Sequence, residues 1–572
     1  MARWVNPRIL AGALALSLLA AAPAPAQLVD LHGAFRERLL SGEGLPAPDR
    51  AGRDLDILRA FYDGRGGQPV WIVQDRPTDQ ASRLLASLAA ADREGLTPRD
   101  YGVARITALM ERGDSPQALA ELELLLSHAA LNYARDLDVG RIEPKLADPE
   151  LYLDRAEPDP LALLRSLAGA SDPGTVLDAM APRRSDYTQL RAALAAYRTR
   201  KDAGGWPAVP AGETLRPGER QDRVPALRSR LAATGEYAAE HFLPPDPLVY
   251  DPALEEAVRR FQRTHGLEPD GVVGAATLAA MNVTVDQRIE QIRLNMERWR
   301  WMPDELGPNY LLVNLAGFTL ELFESDRVIH TARVVVGTPY QKTPVFSDSM
   351  TYLEVNPYWN VPPSIAKGEL LPKLQEDPYY LARNGYTLFS DWSENAIPLD
   401  AALIDWSKVR PETFGYKIRQ DPGDNNALGR IKFMFPNQFD IYLHDTPSRR
   451  LFSRANRTFS HGCIRVEDPF ALAERVLAMT GTKAWDRTRL DATLLTGQRQ
   501  VIRLATPLPI HLSYITAFVD ETGEMQFRND IYGRDAKLAA ALRRSRIPWP
   551  EPAADAARAF LAPALMDPPS GP

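Results

Sequence analysis

The chain has 572 residues, with 67 Lys and Arg against 74 Asp and Glu, a net charge of −7, and 45% hydrophobic and 25% charged residues. That balance fits a folded soluble protein and excludes a disordered tail, a collagen-like repeat and a polytopic membrane protein. With no global positive field, nucleic acid is not an expected partner.

In chain order, Arg3 and Arg8 precede an apolar run over 9–22, and Ala24-Pro25-Ala26 is a small-x-small cleavage signature. The run is shorter than the ~20 residues a span needs, so 1–26 is predicted to be a signal peptide cleaved after Ala26. No later stretch reaches 18 uninterrupted apolar residues, so no stable membrane span is expected after cleavage. Residues 27–217 are rich in Ala, Leu and charges at helical spacing, with Leu84, Leu85 and Leu88, then Leu122, Leu125 and Leu126, on repeating faces. They predict a helical scaffold. Within it the Gly- and Pro-dense stretch 201–218 reads as a linker or surface loop. A compact helical module is expected over 218–285. Its helices are marked by Leu227 and Leu231, by Ala257, Val258 and Phe261, and by 274–281. An amphipathic connecting helix follows within 286–304.

From Tyr310 the apolar period changes to two, so 305–546 is expected to be β-rich. Strands are predicted in LLVNLAGFTLELFE, TARVVVGTP and MTYLEVNPYWNVP, and again at 431–435, 440–444, 501–504, 511–520 and 525–527. A helix is predicted at 470–479. Residues 364–425 are irregular and too long for a bare loop, which predicts a lid or inserted subdomain. The last segment, 547–572, is a Pro/Ala-rich tail. The fold class expected is α+β multidomain.

The chain has one cysteine, Cys463, which excludes an intrachain disulfide and a multi-cysteine zinc site. It lies in Phe459-Ser460-His461-Gly462-Cys463-Ile464-Arg465-Val466, downstream of Asp440-Ile441-Tyr442-Leu443-His444-Asp445. If 440–444 is a strand, Tyr442 and His444 share a face. A thiolate nucleophile needs an imidazole to take its proton and a third group to fix the tautomer. Glycine beside it lets backbone N–H groups approach a reacting carbonyl, and Arg465 can add positive charge or grip a carboxylate. Spacing alone leaves His461 as a rival base, since on a strand it would point the same way as Cys463.

Two blocks carry resemblances. RVPALRSRLAATGEY with AVRRFQRTHGLEPDGVVGAATLAAMN resembles the three-helix peptidoglycan-binding module. His444, fifteen residues and then Ser460-His461-Gly462-Cys463 resembles the L,D-transpeptidase family with its YkuD-type catalytic domain. NPYWNVPPSIA, NALGRIKFMFPN and YITAFVDETGEMQFRNDIYGRD look like its large, scaffold-bearing Gram-negative type, YcbB-like, and FYDGRGGQPVW and NYARDLDVGRIEP look like that type's helical scaffold. The resemblance implies Cys463 as nucleophile, His444 as base, the Asp445 carbonyl as the group orienting His444, and the Gly462 and Cys463 amides as an oxyanion hole. It implies Tyr442, Arg465, Ser460, His461 and Trp359 as substrate-site residues, with no metal and no cofactor. It further implies a periplasmic enzyme that joins a tetrapeptide donor stem to a meso-diaminopimelate acceptor in a 3→3 crosslink, releasing D-Ala. Cell-wall synthases are possible partners and carbapenems expected inhibitors.

Hydrolysis of the same acyl-enzyme, as an L,D-carboxypeptidase or amidase, is the near alternative, and a non-catalytic wall-binding scaffold the distant one. Ser364-Ile365-Ala366-Lys367 and Ser393-Glu394-Asn395 mimic a serine penicillin-binding enzyme, but Lys342-Thr343-Pro344 has proline where glycine is needed and lies upstream. A zinc site of His444, His461 and Cys463 lacks an H-E-x-x-H helix.

Overall fold

The computed structural model describes residues 30–46, 51–153, 155–238 and 245–545. The expected signal peptide (1–26) and tail (547–572) lie outside the described residues. Side-chain caps start the scaffold helices: Asp30 accepts the Gly33 N–H at α1 (Leu31–Ser41). After α2 (Ala51–Asp63), Thr78 caps α3 (Asp79–Ala89) in the same way. The centre is α4 (Pro116–Asp138), buried at every position from Leu119 to Leu137. Its polar residues therefore need partners. Glu123 accepts the N–H groups of Val70, Trp71 and Ile72 and the Tyr62 hydroxyl, and burial still pushes its carboxyl up to about 7. Arg135 pairs with Asp54 at 3.1 Å. Helix α5 (Ser185–Asp202) closes the scaffold.

The module comprises α6 (Val224–Thr234), α7 (Pro252–Thr264) and α8 (Ala275–Met281) around Leu227, Leu231, Val258, Phe261 and Met281. Buried Gln262 is its polar hub, donating to Asp270 and the Val272 carbonyl and accepting the Gly271 N–H. The stretch read as a linker or surface loop is more than that. Val209 and Leu215 belong to the module's core, and Leu215 exchanges both backbone hydrogen bonds with Val273. The helix read as an amphipathic connector, α9 (Val285–Trp301), is also different. It opens with a Thr284–Gln287 capping box, and every residue from Leu294 to Trp301 is buried. Its charges are matched inside the core: Glu297 with Arg300 at 2.9 Å and Arg298 with Asp535 at 2.6 Å.

The β-rich region agrees with the expected α+β class. Its strands begin upstream: β1 (Leu151–Tyr152) is a piece of the scaffold. Then come β2 (Asn309–Asn314), β3 (Thr319–Glu324), β4 (Arg327–Gly337) and β5 (Val345–Val355). The insert holds β6 (Trp359–Asn360), β7 (Tyr386–Phe389), β8 (Pro398–Leu399) and β9 (Lys417–Gln420). These form their own sheet, order β8-β7-β9-β6, over a core of Val361, Leu371, Leu374, Leu388 and Ile418. Residues 364–425 thus take the inserted-subdomain form of that expectation.

The main sheet resumes with β10 (Ile431–Met434), β11 (Leu443–His444), β12 (Thr458–Ser460) and β13 (Ile464–Val466). After α10 (Pro469–Met479) and α11 (Arg487–Leu495), one long strand, β14 (Gln500–Ser513), replaces the two expected there. A hairpin of β15 (Ala517–Val519) and β16 (Met525–Phe527) and helix α12 (Arg534–Arg544) end the described chain. Strand order is β10-β11-β13-β4-β3-β2-β14-β5-β1, with β12 beside β4, and β10 also pairs with β5. The hydrogen-bonded path therefore returns on itself, and the sheet is closed like a barrel.

Candidate active site

Asn437 binds the Phe435 and Ile441 carbonyls and accepts the Phe439 N–H, folding 436–442 into a tight loop. Only Leu443 and His444 of the expected strand 440–444 are extended, because Asp440 sits at φ 54° and breaks the run. Strand β11 runs parallel to β13 with His444 opposite Arg465, and the Ile464 N–H donates to the Tyr442 carbonyl at 3.1 Å. Paired positions project to one face and so do positions two apart. Tyr442, His444, Cys463 and Arg465 therefore share one face of the strand pair. The Tyr442 and His444 rings lie 5.7 Å apart, edge to face. The Cys463 thiol donates to the Asp440 carbonyl at 3.6 Å.

His444 is buried and donates Nδ1–H to the Asp445 carbonyl at 2.5 Å. That bond fixes the tautomer and leaves Nε2 with its lone pair. Burial first, then the Arg465 charge, pushes the imidazole down to about 3, so it rests neutral. Burial pushes the Cys463 thiol up, while hydrogen bonds from Tyr442 and the Lys432 charge pull it down. Burial also lowers Arg465, whose Nε has no hydrogen-bond partner.

The Asp445 carboxylate holds this corner, accepting the Arg430 N–H at 2.9 Å and pairing with Arg449 at 2.8 Å. Gly429, at φ 60°, leaves room for it; a Cβ there would meet that carboxyl. Gly462 sits at φ 120°, a conformation that favours glycine. Its carbonyl accepts from the Thr343 hydroxyl at 2.8 Å, and that hydroxyl accepts the Gly337 N–H. Three expectations change here. Ser460, expected in the substrate site, is buried, and its hydroxyl donates to the Cys463 carbonyl, stapling the Ser-His-Gly-Cys loop from inside. His461 is not on a strand, since β12 ends at Ser460 and β13 starts at Ile464. It is exposed and pairs with Glu369 of the insert. Trp359 lies on β6, 6.3 Å from the Tyr386 ring and packed on the insert's core, rather than on the face that carries Cys463. Among the described residues no group of three or more His, Cys, Asp or Glu is placed to hold a metal, so the zinc alternative of His444, His461 and Cys463 is not assembled.

Two residues on this face escaped sequence reasoning. Lys432 of β10 stands opposite His444, and Glu354 of β5 stands opposite Lys432. The signal was a lysine inside the apolar run Ile431–Met434. Beside the loop, an open cavity of about 360 Å³ is lined by Lys342, Phe439, Ile441, His461, Gly462 and the scaffold's Glu150 and Tyr152.

Residues 308–494 match the family model described as "L,D-transpeptidase catalytic domain", residues 220–281 the model "Putative peptidoglycan binding domain", and residues 56–194 the model "Scaffold domain". A protein of Haemophilus influenzae described as "Putative L,D-transpeptidase" is 36% identical over 252 residues, 44% of this chain and 49% of that protein. The chain thus spans about half the length of that relative. An L,D-transpeptidase structure from Xylanimonas cellulosilytica is 16% identical over 53% of this chain and 99% of that chain, with a TM-score of 0.17. A fused Zn-dependent amidase/peptidase/peptidoglycan-binding-domain protein from Clostridium acetobutylicum is 12% identical over 53% and 100%, with a TM-score of 0.15.

Proposed function

We propose, for a chain whose residues 308–494 match the L,D-transpeptidase catalytic-domain model, that it is an exported acyltransferase forming 3→3 peptidoglycan crosslinks through a thioester on Cys463. The observation that carries this reading is the shared face of Cys463 and His444, with His444 Nδ1–H already spent on the Asp445 carbonyl. Nε2 is then the ring nitrogen left to take a proton.

In the proposed reaction the terminal D-Ala carboxylate of a donor stem lies against Arg465. The Cys463 sulfur attacks the carbonyl between the L-centre of meso-diaminopimelate and D-Ala, and its proton passes to His444. Amides of Gly462 and Cys463 hold the oxyanion. The C–N bond breaks, His444 returns the proton to the departing D-Ala amine, and a thioester remains. The side-chain amine of a second stem attacks that carbonyl and gives a proton to the reforming thiol through His444. Arg465 and Lys432 both oppose a charged imidazole in the resting site. A substrate carboxylate on Arg465 cancels part of that opposition and makes His444 a better base when substrate is bound. The module tethers the polymer and raises its local concentration, in the periplasm, where stem peptides and wall synthases are found.

Mass analysis of muropeptides after incubation with tetrapeptide-rich wall fragments tests this. Dimers lacking one D-Ala are expected from wild type and not from Cys463→Ala. Monomers shortened by D-Ala without dimers would instead make the chain an L,D-carboxypeptidase.

A further inference from the structure

Lys432 belongs to none of the motifs that pointed to Cys463, yet the barrel delivers it to the same face. The register runs Glu354, Lys432, His444, Arg465 across four adjacent strands, β5, β10, β11 and β13. Its ammonium lies 3.7 Å from the centroid of the Tyr442 ring, a cation seated on a π face. Tyr442 in turn acts on Cys463, lowering the proton affinity of the thiol.

We propose that Lys432 is a positioning residue whose ammonium, held on the Tyr442 ring, supplies fixed positive charge that favours Cys463 as thiolate. The inference rests on the reading of Cys463 as the nucleophile.

Three observations support it. A half-buried lysine is ordinarily matched by a carboxylate. Here the acid beside it in register, Glu354, is taken by both Nε and Nη2 of Arg499, and no carboxylate of the described residues lies within ion-pair distance of Lys432. Burial accordingly lowers the proton affinity of Lys432. An arrangement that costs stability this way is characteristic of a working site. Second, the imidazole rests neutral, so it offers no charge to a thiolate before proton transfer. The cations facing the sulfur are Lys432 and Arg465, the groups opposing them are Asp440 and, farther along the row, Glu354, and Tyr442 donates to the sulfur. Third, a cation over a phenol ring withdraws electron density and makes its hydroxyl a stronger donor. Lys432 thereby acts on the sulfur both through space and through Tyr442.

The test is the pH dependence of iodoacetamide alkylation of the full-length protein, read by intact mass. Because Cys463 is the chain's one cysteine, every adduct reports the same sulfur. Lys432→Met keeps the aliphatic stem and removes the charge. It should slow alkylation about tenfold near pH 7, with rates converging on wild type at high pH where both are thiolate. Lys432→Arg should stay within about threefold of wild type. An unchanged profile in a folded Lys432→Met protein overturns the proposal, and so does an equal loss in the Met and Arg variants, which marks a packing role. Lys432→Gln provides the same readout should the methionine variant fail to fold. A wild-type protein that alkylates as described but transfers no acyl group from stem peptides would remove the nucleophile reading while leaving the charge effect standing.

Discussion

His461 Nε2 and Glu369 Oε1 meet at 2.6 Å, joining the loop that carries Cys463 to the inserted subdomain. Both side chains are open to solvent, 39% and 48%, so the pair is worth at most about 1 kcal/mol. That is too little to hold the fold together but enough to bias a local equilibrium. Glu369→Ala should leave the melting temperature within a few degrees of wild type. It should raise the rate of Cys463 alkylation up to about fivefold at low ionic strength, with the difference fading in high salt. No change in thiol access at low salt would mean the insert is held by its own packing alone.

Cys463→Ala and Cys463→Ser should both abolish crosslinking while leaving the far-UV spectrum unchanged, because the site is arranged around a thiol and serine has a far higher pKa. A carbapenem should add to wild type once per chain, by intact mass, and not to Cys463→Ala. An adduct that persists there, or one mapped to Ser364, would restore the serine alternative. His444→Ala should lose 10²–10⁴-fold in activity by about the magnitude of a general base, and His461→Ala much less.

Stability should fall in acid by a definite route. Burial holds His444 down at about 3 and His265, stacked on Phe261, well below its ordinary value. In the unfolded chain both titrate near about 6.5. Above that pH neither state binds the proton, and the folded state keeps its full stability. As pH falls below it the unfolded chain is protonated first, and each histidine costs about 1.4 kcal/mol per pH unit until its folded value is reached. Denaturant melts at pH 7 and about 4.5 check this, and His444→Gln should lose less between the two than wild type.

Gln262→Leu should destabilise the peptidoglycan-binding-type module by about 1–3 kcal/mol, since the Gly271 N–H and Val272 carbonyl lose a buried partner. Co-sedimentation with sacculi should weaken, while turnover of small soluble stems stays within about twofold. Equal losses on both substrates would show that the module supports the catalytic region instead of tethering the polymer.

Cys463 and His444 were legible because the chemistry sits in short contiguous motifs and the strand alternation put Tyr442 with His444. Lys432 was not, because its place depends on a register across β10, β11 and β13 that local pattern does not encode. Ser460 came into the site through the resemblance alone, and only the loop's closure shows that its hydroxyl turns inward to the Cys463 carbonyl. In α9 the charges of Glu297, Arg298 and Arg300 suggested a solvent face, but their ion-pair partners come from its own next turn and from a helix over 230 residues later. Val209 and Leu215 were two apolar residues in a Gly- and Pro-dense stretch, too few to outweigh its composition.

The two-residue strand β1 pairs in parallel with β5, Leu151 against Val345 and Tyr152 against Phe346. Closure by β10 reaches only Tyr352–Val355 of β5, so the scaffold supplies the margin beside the first residues of that strand, from a segment synthesised nearly two hundred residues earlier. That margin would otherwise present free backbone groups, a template for pairing with another chain. A fragment that starts at the catalytic region would expose it and should aggregate as a nascent or recombinant product. In the whole chain the scaffold emerges first and waits as a ready edge cover, so the order of synthesis itself guards the slowest, most non-local part of folding.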